Sequence, residues 1–237
     1  MKRKITILTG AGISAESGVK TFRDSKDGLW EEYKVEDVAT PEALVNNTES
    51  FLKFYNMRKE QMKTVIPNLA HSLIKDLEEF FDVTVVTTNV DDLHEKAGSS
   101  NVIHLHGTLS KLRSSYNPSF TYDYIEDVKV GDVCPDGAQM RPAVVLFGEA
   151  LPEKEYLDSL IAFEEADMVI IIGTSMQVYP AAGLPWTAKE NALIYYIDPS
   201  EINFTIPSER ISLFAHIQDK ATSGMEELFD ELLEIFL

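Results

Sequence analysis

Cysteine is almost absent from this chain: among 237 residues, Cys134 stands alone. A disulfide framework within the chain is excluded, and a reducing compartment is implied. Basic residues are also scarce. Lys and Arg number 21 against 39 Asp and Glu, for a formal net charge of -18 at pH 7. Such a surface repels nucleic acid and anionic membranes and attracts basic peptides, although solubility alone accounts for much of an excess of this kind. Long apolar runs are lacking too. Met168–Ile172 falls far short of the ~20 residues that cross a bilayer. The basic start Met1-Lys2-Arg3-Lys4 leads into only Ile5–Leu8 before Thr9-Gly10, too short an apolar segment for a secretory signal. These absences predict a soluble, cytoplasmic protein with no nucleic-acid or membrane partner. A monomer is the simplest expectation. No internal repeat or low-complexity tract is present.

What is present suffices for a large core, since 44% of residues are hydrophobic. Apolar β-type runs recur at Ile5–Leu8, Val83–Thr87, Val102–Leu105, Ala143–Phe147, Met168–Ile172, Leu193–Ile197 and Ile211–Phe214. Most are continuous, as in strands buried on both faces. Helical spacing lies between them, over Asn68–Phe81, Pro152–Glu165 and Ser223–Leu237. The alternation predicts an α/β, Rossmann-like fold with a parallel sheet in three layers. Two stretches interrupt it: the helical Pro41–Lys63 and the polar, aperiodic Thr108–Met140. A single domain over 1–237 is expected, with a small lobe from insertions at about 39–66 and 108–142.

The first apolar run feeds Gly10-Ala11-Gly12-Ile13-Ser14-Ala15-Glu16, with Thr21-Phe22-Arg23 beyond. This is how a nucleotide phosphate site is built. Gly10 permits a sharp turn, Gly12 lets a backbone N–H approach a pyrophosphate, and Ala15 allows close helix–strand packing. A following helix would aim its positive end at the phosphates. Taken alone, G-x-G-x-x-A also fits a tight turn after a strand. An ordinary dehydrogenase fits poorly, because Asp24–Trp30 is a polar loop where a second strand would end in a ribose-binding acid. The cofactor is therefore expected beneath a loop.

Four further segments fall at the ends of predicted strands, where α/β folds place ligands. They are Thr87-Thr88-Asn89-Val90-Asp91-Asp92-Leu93-His94, His104-Leu105-His106-Gly107, Val144-Val145-Leu146-Phe147-Gly148-Glu149 and Gly173-Thr174-Ser175. With the glycine turn, and in this order, they resemble the sirtuins, NAD-dependent protein-lysine deacylases, from about Ile5 to Leu184. The resemblance implies that Gly10, Ala11, Gly12, Ser14, Ala15, Glu16, Phe22 and Arg23 hold NAD. The loop from Thr21 to Trp30 would be the family's mobile cofactor loop. Asn89 and Asp91 would line the nicotinamide pocket and orient a water, and Gly173, Thr174 and Ser175 would meet phosphate and ribose. The catalytic histidine falls on His106. A histidine near neutrality suits a base that takes a ribose hydroxyl proton. His94 and His104 read instead as hydrogen-bonded core residues. Val145, Phe147, Gly148 and Glu149 would wall the acyl-lysine tunnel, facing Gln177, Val178 and Tyr179. A peptide would lie between them as an added strand.

Tyr55 and Arg58 are spaced to share one helix face. With Ala39 they resemble the set in sirtuins that remove succinyl and malonyl groups, where a guanidinium grips a carboxylate through two hydrogen bonds and a phenol adds a third. A solvated helix face is the bland alternative. The implied activity is removal of succinyl or malonyl groups, with acetyl also possible, from lysine on proteins or peptides. Nicotinamide and O-acyl-ADP-ribose would be released, which makes the enzyme formally a transferase.

Departures from the family are informative. The four zinc cysteines fall on Ser114, Asn117, Cys134 and Gly137. Such a set does not make a tetrahedral zinc site, so no metal is expected. Tyr116, Phe120, Tyr122 and Tyr124 could hold the lobe instead. Thr88 replaces a usual glutamine near the ribose. At the adenosine end the match falls on Tyr196, Asp198 and Ala221. An NAD glycohydrolase or ADP-ribosyltransferase on the same frame, or a non-catalytic NAD-sensing module, are the rival readings. Joint retention of Asn89, Asp91 and His106 argues against the sensor.

Overall fold

The computed structural model describes residues 2–21 and 33–236. Phe22, Arg23 and Trp30, and most of the loop expected to cover the cofactor, lie outside the described residues. Nine strands are present among those described: β1 (Lys4–Thr9), β2 (Asp82–Thr87), β3 (Val102–His104), β4 (Gly107–Ser114), β5 (Thr121–Asp123), β6 (Met140–Val144), β7 (Met168–Ile172), β8 (Leu193–Ile197) and β9 (Phe214–Ile217). Their helices are α1 (Ala11–Ala15), α2 (Val35–Val38), α3 (Pro41–Asn46), α4 (Thr48–Met62), α5 (Leu69–Leu77), α6 (Leu93–Ala97), α7 (Glu153–Glu164) and α8 (Ala221–Phe236), with 3-10 turns at Ala181–Thr187 and Ser208–Leu213. No helix among them is long and apolar enough to cross a membrane.

Six strands form one parallel sheet in the order β3-β2-β1-β7-β8-β9. Continuous apolar runs make this possible, because both faces are covered. Ile5, Ile7, Val83, Val85 and Ile170 pack on one side with Ile74 and Leu77 of α5 and Met225, Leu228 and Leu232 of α8. Leu8, Val86, Val169 and Ile171 pack on the other with Phe163 of α7 and Leu184. The fold is therefore α/β, Rossmann-like and three-layered, with a smaller antiparallel sheet in the order β5-β4-β6.

The observed strands correct the sequence reading at three places. The apolar Ala143–Phe147 is not a strand of the main sheet. Its first part ends β6, antiparallel to β4, and the chain leaves the sheet at Val145. Ile211–Phe214 likewise divides into a 3-10 turn and the start of β9, which runs to Ile217. The aperiodic 108–140 contains β4 and β5, whose register shifts between Thr108 and Leu112 and blurs any alternation.

Helices α2–α4 and this small sheet share a buried cluster of Val38, Phe51, Leu52, Leu112, Tyr124 and Val128. Asn56 ties them further. Its Oδ1 accepts the Tyr124 hydroxyl at 2.5 Å and the Val128 N–H at 3.1 Å, and its Nδ2 donates to the Val128 carbonyl at 2.9 Å. Tyr124 thus holds the lobe, and the half-exposed Tyr122 meets Cys134 across it, whereas Tyr116 is 84% exposed. Where the family's cysteines would stand, Ser114 Oγ donates to Asp136 at 2.6 Å and accepts the N–H groups of Tyr116 at 3.0 Å and Asn117 at 3.1 Å. The Gly137 N–H donates to the Cys134 carbonyl at 2.8 Å.

Candidate active site

Sheet register builds the site. Thr9 pairs with Thr87 on one side and Ile172 on the other, and Thr87 pairs with His104. Four chain segments therefore leave the sheet from one row, at the point where strand order reverses across β1 and β7, which is where open α/β sheets bind ligands. A cavity of about 1230 Å³ opens there.

The floor is main chain against main chain. The Gly12 N–H donates to the Gly173 carbonyl at 2.8 Å, and the Gly10 N–H to the Ile172 carbonyl at 3.0 Å. A Cβ on Gly173, whose φ is +61°, would stand 2.4 Å from the Ile13 nitrogen; one on Gly10 would stand 2.6 Å from the Gly173 oxygen. The reason for glycine at position 10 is thus this proximity and not the sharp turn expected, since its backbone is ordinary extended chain at φ -122°. Helix α1 is only 5 residues long, and the Gly12 amide is spent within the protein, so less of a helix terminus faces a phosphate than the sequence suggested. Ala11, Gly12, Ala15, Glu16, Thr174 and Ser175 line the same cavity. The Glu16 carboxylate also accepts the Thr222 N–H at 3.0 Å, holding the start of α8 beside the site.

Asn89, Asp91 and Ser14 form a buried chain. Asn89 Nδ2 donates to the Gly10 carbonyl at 3.0 Å and to Ser14 Oγ at 3.2 Å, and Ser14 Oγ donates to Asp91 at 3.0 Å. Burial pushes the Asp91 carboxyl above its ordinary value, against the Leu93 N–H and Ser14 bonds. Asn89 lines the cavity; Ser14 and Asp91 stand behind it. Asn89 Oδ1 has no protein partner among the described residues.

His106 lines the cavity as well. Its Nδ1 lies 3.2 Å from the Thr88 carbonyl, an acceptor only, so this nitrogen carries the proton and Nε2 keeps its lone pair. Burial lowers the ring's pKa, partly offset by the Thr88 bond. A neutral imidazole with an available Nε2 is the form a general base needs. Thr88 also lines the cavity, with its hydroxyl turned back to the Thr9 carbonyl at 3.0 Å.

Opposite stands the wall that the sequence assigns to substrate. The Val145 N–H donates to the His106 carbonyl at 2.8 Å, and the Phe147 N–H to the Ala39 carbonyl at 2.9 Å. Ala39, Tyr55, Arg58, Val145, Phe147, Gly148, Glu149 and Val178 all line the cavity. Tyr55 and Arg58 are 8% and 5% exposed, which excludes a solvated helix face. Burial depresses the Arg58 guanidinium, opposed by Asp91 and Tyr55, and raises the Tyr55 phenol. Arg58 Nη1 donates to Gln61 at 2.9 Å, and among the described residues no carboxylate is within ion-pair distance.

The adenosine end is mixed. Asp198 and Ala221 line the cavity, but Tyr196 does not: it is 2% exposed on the other face, and its hydroxyl donates to the Thr174 carbonyl at 3.2 Å. Sequence reading also missed supporting residues. Arg141 and Arg113 donate to the Glu149 carboxylate at 2.7 Å and 3.2 Å, and it takes the Leu146 N–H at 2.9 Å, so this carboxylate is engaged in shaping the wall. Glu95 holds His104 at 2.7 Å. Glu149 itself was read from its motif; its arginine partners carried no signal, and Glu95 only its place beside the Asn89–His94 segment. Among the described residues, no group of three or more His, Cys, Asp or Glu gathers to hold a metal.

Comparison with known proteins matches this arrangement. Residues 10–180 match the model of the Sir2 family. An NAD-dependent protein deacylase of Helicobacter pylori (strain ATCC 700392 / 26695) is 46% identical over 233 residues, covering 98% of this chain and 99% of its own. One of Bacteroides thetaiotaomicron is 47% identical over 232 residues, covering 95% and 96%. Among solved structures, a Sir2 homolog–NAD complex superposes with TM-score 0.84 at 38% identity, over 98% of this chain and 90% of that one. An ADP-ribose complex of a Sir2 homologue mutant does so with TM-score 0.87 at 37% identity, over 100% and 95%. By sequence and by fold, the chain belongs to the Sir2 family.

Proposed function

We propose that this Sir2-family protein removes acyl groups from protein lysines at the expense of NAD, favouring succinyl and malonyl over acetyl. The residues present suit NAD. Gly10, Gly12 and Gly173 pack main chain on main chain into a cradle whose floor carries no side chains, and Thr174, Ser175, Asp198 and Ala221 extend it. Bound NAD supplies a ribose carbon open to attack and nicotinamide as the leaving group. Around it, Asn89 offers an unspent carbonyl oxygen able to hold a water or an amide N–H. Asp91 and Ser14 fix that side chain from behind. His106 Nε2 accepts the ribose hydroxyl proton, and the Thr88 carbonyl holds the ring in the tautomer this requires.

The acyl preference rests on one observation: Arg58 is a buried cation in the cavity wall with no carboxylate partner among the described residues. Burying an unpaired charge is costly unless a ligand completes it. A succinyl or malonyl terminus supplies that carboxylate, and the Tyr55 hydroxyl can donate to it. Wall geometry also refines how a peptide binds. The N–H groups of Val145, Leu146, Phe147 and Glu149 are already donated within the protein. This side therefore offers a peptide the Gly148 N–H and the Val145 carbonyl, and selectivity for flanking sequence is modest.

Mass spectrometry on one lysine peptide carrying succinyl, malonyl or acetyl groups, with and without NAD, tests the proposal. Acyl loss that needs NAD and is fastest for the acidic acyl groups is expected. Acetyl loss outpacing both acidic acyl groups would overturn the preference. Nicotinamide release at full rate without any acyl peptide would favour a glycohydrolase.

A further inference from the structure

Two histidines that do not line the cavity flank the Asn89 peptide, His104 directly and His94 through two threonine hydroxyls. On its amide side, the N–H donates to Thr87 Oγ1 at 3.0 Å; Thr9 Oγ1 lies 2.8 Å from that oxygen and 3.0 Å from His94 Nε2. On its carbonyl side stands His104, with Nδ1 at 3.3 Å from the Asn89 oxygen and Nε2 at 2.7 Å from a Glu95 carboxylate oxygen. His104 is separated from Glu95 by nine positions in sequence and is brought to it by the return of β3 beside β2.

We propose that His104 is a positioning residue for the Asn89 turn, its imidazolium bridging Glu95 and the Asn89 carbonyl so that the Asn89 side chain stays aimed into the cavity. Both of its partners are acceptors only. A neutral imidazole donates once and would leave one of them unmet, whereas the imidazolium donates twice. Burial opposes the charge, but the Glu95 carboxylate, the Asn89 carbonyl and Asp91 outweigh it and raise the ring's pKa. The other charged or titratable neighbour facing it is His94, which burial keeps neutral, with His71 and His104 adding to the effect. When His104 loses its proton, one bond is lost and the Asn89 turn loosens. Activity therefore falls on the alkaline side through this ring, while it rises on the acid side as His106 becomes neutral.

The inference rests on Asn89 serving the cofactor pocket, and the experiment separates the two. Steady-state kinetics for NAD with an acetyl-lysine peptide are measured from pH 6 to 9.5 for the native chain, His104→Leu, His104→Gln, Glu95→Gln and Asn89→Ala. His104→Leu is expected to lose about 10-fold in kcat/KM for NAD and to lose the alkaline limb. Glu95→Gln should move that limb down by about one pH unit. His104→Gln, which keeps a donor for the Asn89 carbonyl, should recover most of the rate without restoring the limb. Nitrogen NMR of the native ring should show both His104 nitrogens protonated at pH 7, a readout independent of variant folding. A neutral ring, or an alkaline limb unchanged in both His104→Leu and Glu95→Gln, overturns the inference. Full turnover in Asn89→Ala would instead overturn the role of Asn89.

Discussion

Replacing Arg58 with Met separates its functional role from its effect on stability. The guanidinium is 5% exposed, donates to Gln61 at 2.9 Å, and meets no carboxylate among the described residues. Its charge is destabilised by burial, with only partial relief from Asp91 and Tyr55. A ligand carboxylate gripped by two charge-assisted hydrogen bonds gains about 3 kcal/mol, or about 100-fold in kcat/KM. Met fills much of the same space without the charge. Desuccinylation should then fall about 100-fold, while deacetylation of the same peptide stays within about 3-fold. Relief of the unpaired charge should stabilise the ligand-free protein by about 1 kcal/mol, raising Tm by about 3 °C. Initial rates by mass spectrometry and a calorimetric melt measure both quantities. A lower Tm with equal loss of both activities would refute the reasoning, because Arg58 would then be a structural tie.

Other perturbations probe the base, the cradle and the buried histidines. His106→Ala should abolish turnover yet bind NAD as before by calorimetry, since no contact placing the cradle runs through that ring. Gly173→Ala forces a side chain onto a +61° backbone and against the Ile13 nitrogen. It should cost about 3 kcal/mol and abolish NAD binding, seen as a lower Tm that NAD no longer raises. Acid should destabilise the fold. Burial lowers His71 to about 4 and holds His94 well below its ordinary value, so both are neutral when folded. The unfolded chain binds more protons below about pH 6.5, so stability is complete above that value and is lost as pH falls toward 4. His71 alone contributes about 3 kcal/mol over this window. His104 works in the opposite sense, its share being present at low pH and lost as pH rises through its raised value. Urea titrations at pH 7.5, 6 and 4.5 measure the slope.

Legibility in the sequence followed burial. Ile5–Leu8, Met168–Ile172 and Leu193–Ile197 read as strands because both faces are covered, which leaves unbroken apolar runs. Thr121–Asp123 did not, because all its residues are exposed and nothing patterns them. Ala143–Phe147 was apolar for a different reason from a main-sheet strand: Val144 and Leu146 join the lobe's core, and Val144 through Phe147 all line the cavity. Asn89 and His106 were legible through their neighbours in sequence. The ion pairs around the site were not, since Glu95–His104 and Arg141–Glu149 depend on how strands return in space.

The single row of Thr9, Thr87, Ile172 and His104 has a consequence for how such a molecule can vary. The reacting groups take their spacing from the repeat of the sheet, about 4.8 Å from strand to strand, and not from the connections between. Lengthening the link between β4 and β5 should leave that spacing intact. Deleting one residue within Val83–Thr87 would turn every later side chain of β2 to the opposite face and carry Asn89 away from the cavity it lines.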